Sequence, residues 1–231
     1  MAARDVTRRK PAPRGQATRR RILEAALGLF RKRGLEATTM REIADAAGVA
    51  LGGAYYYFDS KDAIVLAYYD RTQRLCTERA REAFASTNDV RERLGAAIHT
   101  KLDVLARDRR LLSALFRSLA DPSEPLSVFA PKTRDVREES ILVFDEALAT
   151  SPAAAALDAQ ARRLLALALW SMHMGVMLYF IHDPSPKQEK TRKLVDRTLD
   201  LVCGLLPMAP ELAPIVGIQV ASVLSEAGLL A

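Results

Sequence analysis

The sequence predicts an all-α protein, and three observations lead to this prediction. Apolar residues recur at helical spacing over long segments that are rich in Ala, Leu, Arg and Glu. Clusters of Pro, Gly or Asp separate these segments, as expected between helices. No segment offers a partner strand for the one short aromatic run that favours β-structure. At 231 residues, the chain can form one large or two modest domains with a real core.

The positive charge is concentrated at the N-terminal end. Residues 1–61 hold 13 Lys and Arg against 6 Asp and Glu, a net charge of +7. Residues 62–231 hold the remaining 21 against 22, a net charge of −1. This asymmetry is expected of a nucleic-acid-binding head on a neutral body. We expect residues 1–15 to be a flexible basic arm, which either contacts DNA phosphates or stays in solvent.

Other classes of protein are disfavoured. Cys76 and Cys203 lie far apart without a CxxC motif, so neither a disulfide framework nor a zinc site is implied. The basic N-terminus lacks the apolar core of a secretory signal, and we expect a cytoplasmic protein. Residues 164–181 carry no charged side chain, but His173 lies in the middle. We therefore expect a helix buried in a soluble core or in a dimer interface, and no membrane span.

The first helix is predicted over residues 16–33, with Gly34 as its left-handed C-terminal residue. Thr39 and Glu42 match the capping box S/T-x-x-E, which predicts the start of a second helix. Gly48 ends this helix in a tight turn.

A third helix is predicted over residues 51–58, where Gly52 and Gly53 form helices poorly. Small residues there would allow close approach to DNA, although packing against the first helix is an alternative explanation. Ser60 then caps a fourth helix. Lys61 opposes the dipole at its start, which an anion held there would explain.

A helix, a capped helix, a glycine turn, an aromatic helix and a Ser-Lys step follow one another in this order. Here the chain resembles the tetracycline-repressor (TetR) family of bacterial transcriptional regulators. The resemblance lies in TTMREIADAAGV, in YYYFDSK and in the A-x-x-x-F-x-x-x-G pattern that ends at Gly34, and it covers residues 16–66. It implies a homodimer of nine or ten helices per subunit. Residues 16–61 would form the helix-turn-helix DNA-binding domain, and residues 62–231 a helical domain for effector binding and dimerisation.

The resemblance also implies a palindromic DNA operator, from which a small apolar effector releases the protein. The candidate base contacts are Arg41, Leu51, Gly52 and Tyr55, and the candidate phosphate contacts are Thr39, Tyr56, Tyr57 and Lys61. One of the three tyrosines is expected to pack inward with Phe58. Ala50, Leu51 and Gly53 depart from the family pattern, so direct base reading is expected to be modest.

The helix predicted over residues 157–181 places aromatic side chains and methionines on one stripe with a histidine. Such a stripe suits an adaptable apolar pocket, and plain core packing is the alternative. The candidate effector-binding residues are Phe116, Phe144, Trp170, His173, Met174 and Met177.

No catalytic motif, metal-ligand spacing or cofactor fingerprint is present, so we expect no enzyme, no metal and no cofactor. The more serious alternative is a DNA-binding architectural protein that has no small-molecule effector. It would share the same head and differ only in the body.

Overall fold

The computed structural model describes residues 13–121 and 123–212, with four single residues beyond them, 219, 222, 225 and 226. Within these residues every regular element is helical and no strand occurs, which confirms the all-α prediction. The first twelve residues of the predicted arm lie outside this part of the chain. So does nearly all of the apolar stretch at residues 215–230.

The described residues contain ten α-helices up to residue 205, and residues 209–212 are also helical. In chain order they are α1 Pro13–Arg33, α2 Met40–Ala47, α3 Leu51–Tyr57, α4 Lys61–Phe84, α5 Val90–Leu105, α6 Arg109–Ala120, α7 Arg134–Leu148, α8 Pro152–Ala155, α9 Ala159–His182 and α10 Glu189–Leu205. Short 3₁₀ turns precede α6, α7 and α10, and another follows α10. The described residues are already helical at Pro13, which is earlier in the chain than the predicted start at residue 16.

The chain divides into two compact units, with the boundary between Tyr68 and Tyr69. The first unit therefore includes the beginning of α4, further along the chain than the predicted limit at residue 61. In this unit α1 packs against α2, and α2 packs against α3. Its core includes the fully buried side chains of Ile22, Ile43 and Ile64.

The second unit is built around α9. This helix packs against α7, α6, α10 and α5, and α5 also packs against α7 and α10. By length and composition α9 could cross a membrane, because its most apolar 18-residue window has a mean hydropathy of 1.8. More than half of that window is buried by the neighbouring helices. It is therefore a core helix of this unit, as the sequence predicted.

Arg109, at the start of α6, holds the C-terminal end of α9. Its Nε donates to the carbonyl oxygen of Phe180 at 2.9 Å, and its Nη2 donates to those of Ile181 and Asp183. The last carbonyl groups of a helix have no partners within the helix and carry partial negative charge. A guanidinium group therefore satisfies several acceptors at once and fixes the end of α9 against α6.

Asp183 follows α9 directly and caps the beginning of α10. Its carboxylate accepts hydrogen bonds from the backbone N–H and the hydroxyl of both Ser185 and Thr191, at 2.7–2.9 Å. Burial alone would raise the pKa of this carboxyl, but the four hydrogen bonds outweigh it and hold the pKa far below its ordinary value. The ionised form of Asp183 is therefore part of the folded state.

Asp183→Asn is expected to lower the free energy of unfolding by about 2 kcal/mol at pH 7, since hydrogen bonds to a charged group are lost or weakened. Because the folded-state pKa of Asp183 is depressed, its ionised carboxylate stabilises the fold at pH values above the unfolded-state pKa of about 3.9. This stabilisation is lost as the pH falls below that value. The deficit of the variant should thus shrink below about pH 4. Urea unfolding at pH 7, 4 and 3 measures both effects.

Asp135→Asn is the matched control, because Asp135 is exposed on α7. This substitution should change the stability by less than about 0.5 kcal/mol at pH 7. An Asp183→Asn variant with a deficit that does not depend on pH would contradict the role of the ionised carboxylate.

Candidate functional site

The turn between α2 and α3 is fixed by two local features. The hydroxyl of Thr39 accepts the backbone N–H of Glu42 at 3.3 Å, and the backbone N–H of Thr39 donates to the Glu42 carboxylate at 2.8 Å. Gly48 ends α2 in the left-handed conformation, with φ 62°. The predicted capping box and glycine turn are therefore both confirmed, and they set where α3 begins.

The helix α3 has one buried side and one exposed side. Ala54 and Phe58 are buried, and the guanidinium carbon of Arg19 lies 4.6 Å from the centre of the Phe58 ring. On the opposite side Tyr55 and Tyr56 are 49% and 79% exposed. The aromatic run thus presents a polar, aromatic surface to solvent.

Tyr57 is half-buried, and its ring meets that of Tyr56 edge to face, with centroids 5.1 Å apart. Of the three tyrosines it comes closest to the inward position expected for one of them. Leu51, at the start of α3, is also half-buried.

Gly52 is exposed in the first turn of α3. A Cβ atom built there would meet no described atom within 4 Å, apart from the neighbours in its own helix. Packing within the described unit therefore does not require glycine at this position. At Gly53 a Cβ would come 3.9 Å from the Cβ of Val49, which is an ordinary contact. Because neither glycine has a side chain, the start of α3 has a smooth surface.

Arg41 is exposed in the first turn of α2 and lies at the edge of the same head. The hydroxyl proton of Thr39 is already used, because this group donates to the Glu42 carboxylate at 2.8 Å. A phosphate contact from Thr39 would therefore use another group or break the capping box. The Glu42 carboxylate also pairs with Arg33 at 2.8 Å.

Lys61 has a structural partner that the sequence did not suggest. Its Nζ donates to the carbonyl oxygen of Leu35 at 2.8 Å and lies 3.5 Å from that of Glu36. These carbonyls belong to the loop between α1 and α2, so Lys61 ties the start of α4 to that loop. An ammonium group has three N–H donors, so Lys61 retains one for another partner.

A second candidate site lies in the core of the second unit. Here α4, α5, α7 and α9 leave a cavity of about 10 Å³, roughly the space that one water molecule needs. Its lining residues are Gln73, Cys76, Ala97, Lys101, Ser140, Val143, Phe144 and His173.

Two of the predicted effector-binding residues, Phe144 and His173, meet at this cavity with ring centroids 5.7 Å apart. Trp170 and Met177 are buried on the same helix, and Met174 is half-buried, but none of them lines the cavity. The side chain of Phe116 lies outside the described part of the chain.

Sequence reasoning missed the polar residues of the cavity. Lys101 donates to Gln73 Oε1 at 2.9 Å and to Ser140 Oγ at 3.1 Å, and these three residues come from three helices. A signal for Lys101 was available: it interrupts the buried stripe of α5, close to Ile98 and Leu102. Burial lowers the pKa of Lys101, and the neighbouring Cys76 and Glu139 oppose this effect.

His173 is only 1% exposed, and neither ring nitrogen has a hydrogen-bond partner among the described residues. Burial first, and the charge of Lys101 second, hold its pKa well below the ordinary value. The imidazole is therefore neutral at physiological pH. In the described residues no group of three or more His, Cys, Asp or Glu could hold a metal ion.

A capped helix, a glycine turn and a short helix with an exposed aromatic side define the first unit as a helix-turn-helix head. Two family models match the chain. One is described as "Bacterial regulatory proteins, tetR family" and covers residues 22–68. The other, "Tetracyclin repressor-like, C-terminal domain", covers residues 93–217, more than half of the chain. The chain belongs to the TetR family of bacterial transcriptional regulators.

Curated relatives include both an activator and a repressor of transcription. The activator FasR of Mycolicibacterium smegmatis is 28% identical over 196 residues, which cover 83% of this chain and 84% of FasR. The repressor KstR2 of Rhodococcus jostii is 39% identical over 92 residues, which cover 39% of this chain and 45% of KstR2. The alignments with KstR2 and several other curated regulators thus span half of their length or less.

Solved structures show the same fold. FadR of Thermus thermophilus, a TetR-family repressor in complex with lauroyl-CoA, matches with a TM-score of 0.60 and 25% identity, over 78% of this chain and 92% of FadR. FadR of Bacillus subtilis, in complex with stearoyl-CoA, matches with a TM-score of 0.62 and 21% identity, over 78% and 96% of the two chains. At 21% identity the second likeness concerns the fold alone.

Proposed function

We propose that this regulator is a cytoplasmic, homodimeric repressor that binds a palindromic operator and leaves it when a small effector with an apolar body enters the second unit. The observation that carries this proposal is the cavity beside Lys101 and His173. A core that keeps a cation and an imidazole without a hydrogen-bond partner among the described residues, beside a cavity, is costly for stability alone. A ligand site gives that arrangement a function.

The DNA-binding surface of the proposal is the exposed side of α3 with the beginnings of α2 and α4. A helix of this kind enters the major groove with its first residues against the base edges. Gly52 permits close approach of the backbone, while Tyr55 and Arg41 are the exposed groups that can reach bases. Tyr56, Tyr57 and Lys61 are then available for phosphates, and Thr39 positions α2.

The dimer surface of the proposal consists of the outer faces of α9 and α10. Leu178 and Tyr179 on α9, and Leu194, Leu201 and Leu205 on α10, are large apolar side chains that are exposed in the isolated chain. The three leucines of α10 recur at helical spacing and form an apolar stripe, while the two residues of α9 are neighbours in the chain. Two such helices from each subunit would form a four-helix bundle.

The apolar part of the effector is less closely defined than its binding site. The FadR structure of Thermus thermophilus was solved with lauroyl-CoA, which supports an effector with a long apolar chain. The cavity near His173 is far smaller than such a chain. Ligand binding would therefore move side chains of α5, α7 or α9, which is a direct route to a changed arrangement of the heads.

An architectural DNA-binding protein is the alternative from the same fold. It would need no effector, so a buried polar cavity would have no function in it. The two possibilities separate in one experiment, because only the regulator releases DNA in response to a small molecule.

The test begins with selection of DNA from a random library by the full-length protein, at two salt concentrations. We expect a palindrome whose half-sites lie about one helical turn apart or somewhat more. Lauroyl-CoA and other acyl compounds are then added to the complex, and release is followed by fluorescence anisotropy. If a site is enriched but no compound releases the protein from it, the architectural protein is favoured. If no palindrome is enriched, the proposed homodimer that binds a palindromic operator is excluded.

Lys61→Met is expected to weaken binding to all DNA sequences alike and to reduce the slope of log K against log salt by about one unit, since one phosphate contact is lost. Loss of the hydrogen bond from Lys61 to the Leu35 carbonyl oxygen should also lower the free energy of unfolding by about 1 kcal/mol. The control is Lys132→Met, since Lys132 is an exposed lysine of the second unit. A reduced melting temperature with an unchanged salt slope would limit Lys61 to a structural role.

Leu201→Arg is expected to convert the dimer into monomers at micromolar concentration, because the interface would bury an unpaired charge. Leu201 is 63% exposed in the isolated chain. Leu142 is 45% exposed on α7, outside the proposed interface, so Leu142→Arg should leave the dimer intact. Size-exclusion chromatography with light scattering measures both masses. If the Leu201→Arg protein is still dimeric, this face of α10 is not part of the dimer interface.

A further inference from the structure

In the second unit the hydrogen-bond partners of Lys101 are neutral groups, while the carboxylate of Glu139 acts on Lys101 electrostatically from further away. Its ammonium group donates to an amide oxygen of Gln73 and a hydroxyl of Ser140, at 2.9 and 3.1 Å. Among the described residues no carboxylate lies within 4.0 Å of Nζ. Since an ammonium group carries three N–H donors, protonated Lys101 has one donor available to a further group at the cavity.

His173 supplies a second group at the same place. Its ring is buried on α9, and no described residue hydrogen-bonds to either nitrogen. A neutral imidazole carries one N–H donor. The cavity wall therefore presents two unused donors, one on Lys101 and one on His173, and none of its lining residues carries a carboxylate that could pair with them.

The remaining wall is apolar. Ala97, Val143 and Phe144 complete the lining together with the thiol of Cys76. Burial raises the pKa of that thiol above its ordinary value, despite the nearby charges of Lys101 and Arg79. Cys76 is thus a neutral, weakly polar surface at pH 7 and does not neutralise Lys101.

These groups define the chemistry of a fitting ligand. It brings acceptor oxygens and one negative charge to Lys101 and His173, and carbon atoms to the rest of the wall. We infer that the effector is a free carboxylic acid with an apolar body, bound with its carboxylate between Lys101 and His173. This inference rests on the proposed function and adds the chemical class of the effector to it.

Other polar ends fit less well. A phosphate group has three or more acceptor oxygens and up to two charges, which exceeds the two donors and the single cation here. A thioester or an alcohol leaves the charge of Lys101 uncompensated. The cavity of about 10 Å³ has room for a small polar end but not for a chain, so the apolar body must displace neighbouring side chains.

The chain contains its own reporter of binding. Trp170 is the single tryptophan, and it is buried on α9 one turn before His173. Decanoate, 1-decanol and decylammonium have the same carbon chain and differ in the charge of their polar end. Titration of the full-length protein with each compound, followed by Trp170 fluorescence, therefore isolates the contribution of the carboxylate.

We expect decanoate to bind about tenfold or more tightly than 1-decanol, and decylammonium to bind more weakly than either. Lys101→Met should remove the preference for decanoate and leave the binding of 1-decanol unchanged or stronger. His173→Leu should reduce the preference in part. The control is again Lys132→Met, which should retain the full preference.

Lys101→Met removes a buried charge and keeps most of the side-chain volume, so this variant is expected to fold and to melt at or above the temperature of the unaltered protein. Equal binding of decanoate and 1-decanol would overturn the inference. So would a preference for decanoate that survives in Lys101→Met.

The inference and the proposed function can fail separately. If lauroyl-CoA releases operator DNA while decanoate does not bind, the carboxylate inference is overturned and the proposed function stands. If decanoate binds through Lys101 but neither compound releases DNA, the carboxylate site at Lys101 stands, while the proposed effector-controlled function fails.

Discussion

Burial of α9 is the constraint on which the second unit depends. This helix has almost no charged residues after its first turn, so water is excluded from it only if α5, α6, α7 and α10 cover it. Arg109 satisfies the carbonyl groups at its C-terminal end, and Asp183 directs the chain from there into α10. Four helices are thereby fixed around one apolar axis. On the outer side of α9, Leu178 and Tyr179 stay exposed in the single chain.

Polar residues interrupt this apolar packing at one place. Lys101, Gln73 and Ser140 form hydrogen bonds on one side of the small cavity, and His173 lies on another with its nitrogens unpartnered among the described residues. Packed cores tolerate such groups poorly, and replacement by apolar residues often stabilises a protein. A core of this kind is less stable than it could be, and functional sites are where natural proteins accept that cost.

Local sequence patterns predicted the head well, because its determinants lie within a few residues of one another. Thr39 and Glu42 are three positions apart, and Gly48 acts through its own backbone angle. The cavity is different. Lys101 and His173 come together only when α5 and α9 pack against α4 and α7, and periodicity tells which side of a helix is buried without naming its neighbours. The stripe on α9 therefore singled out His173, which lines the cavity, but could not reveal Lys101.

The length of α3 has a consequence for the dynamics of the head. It contains seven residues, and Ala50 provides no side-chain hydrogen bond at its N-terminal end. Isolated helices shorter than about 12–15 residues are marginal in water, so α3 is ordered by its contacts through Ala54 and Phe58 and by Arg19 above the Phe58 ring. Its free energy of local opening is therefore set by α1 and α2 and lies below that of the whole fold. Amide hydrogens of α3 should exchange early, and their protection reports directly on how firmly a bound surface holds this helix.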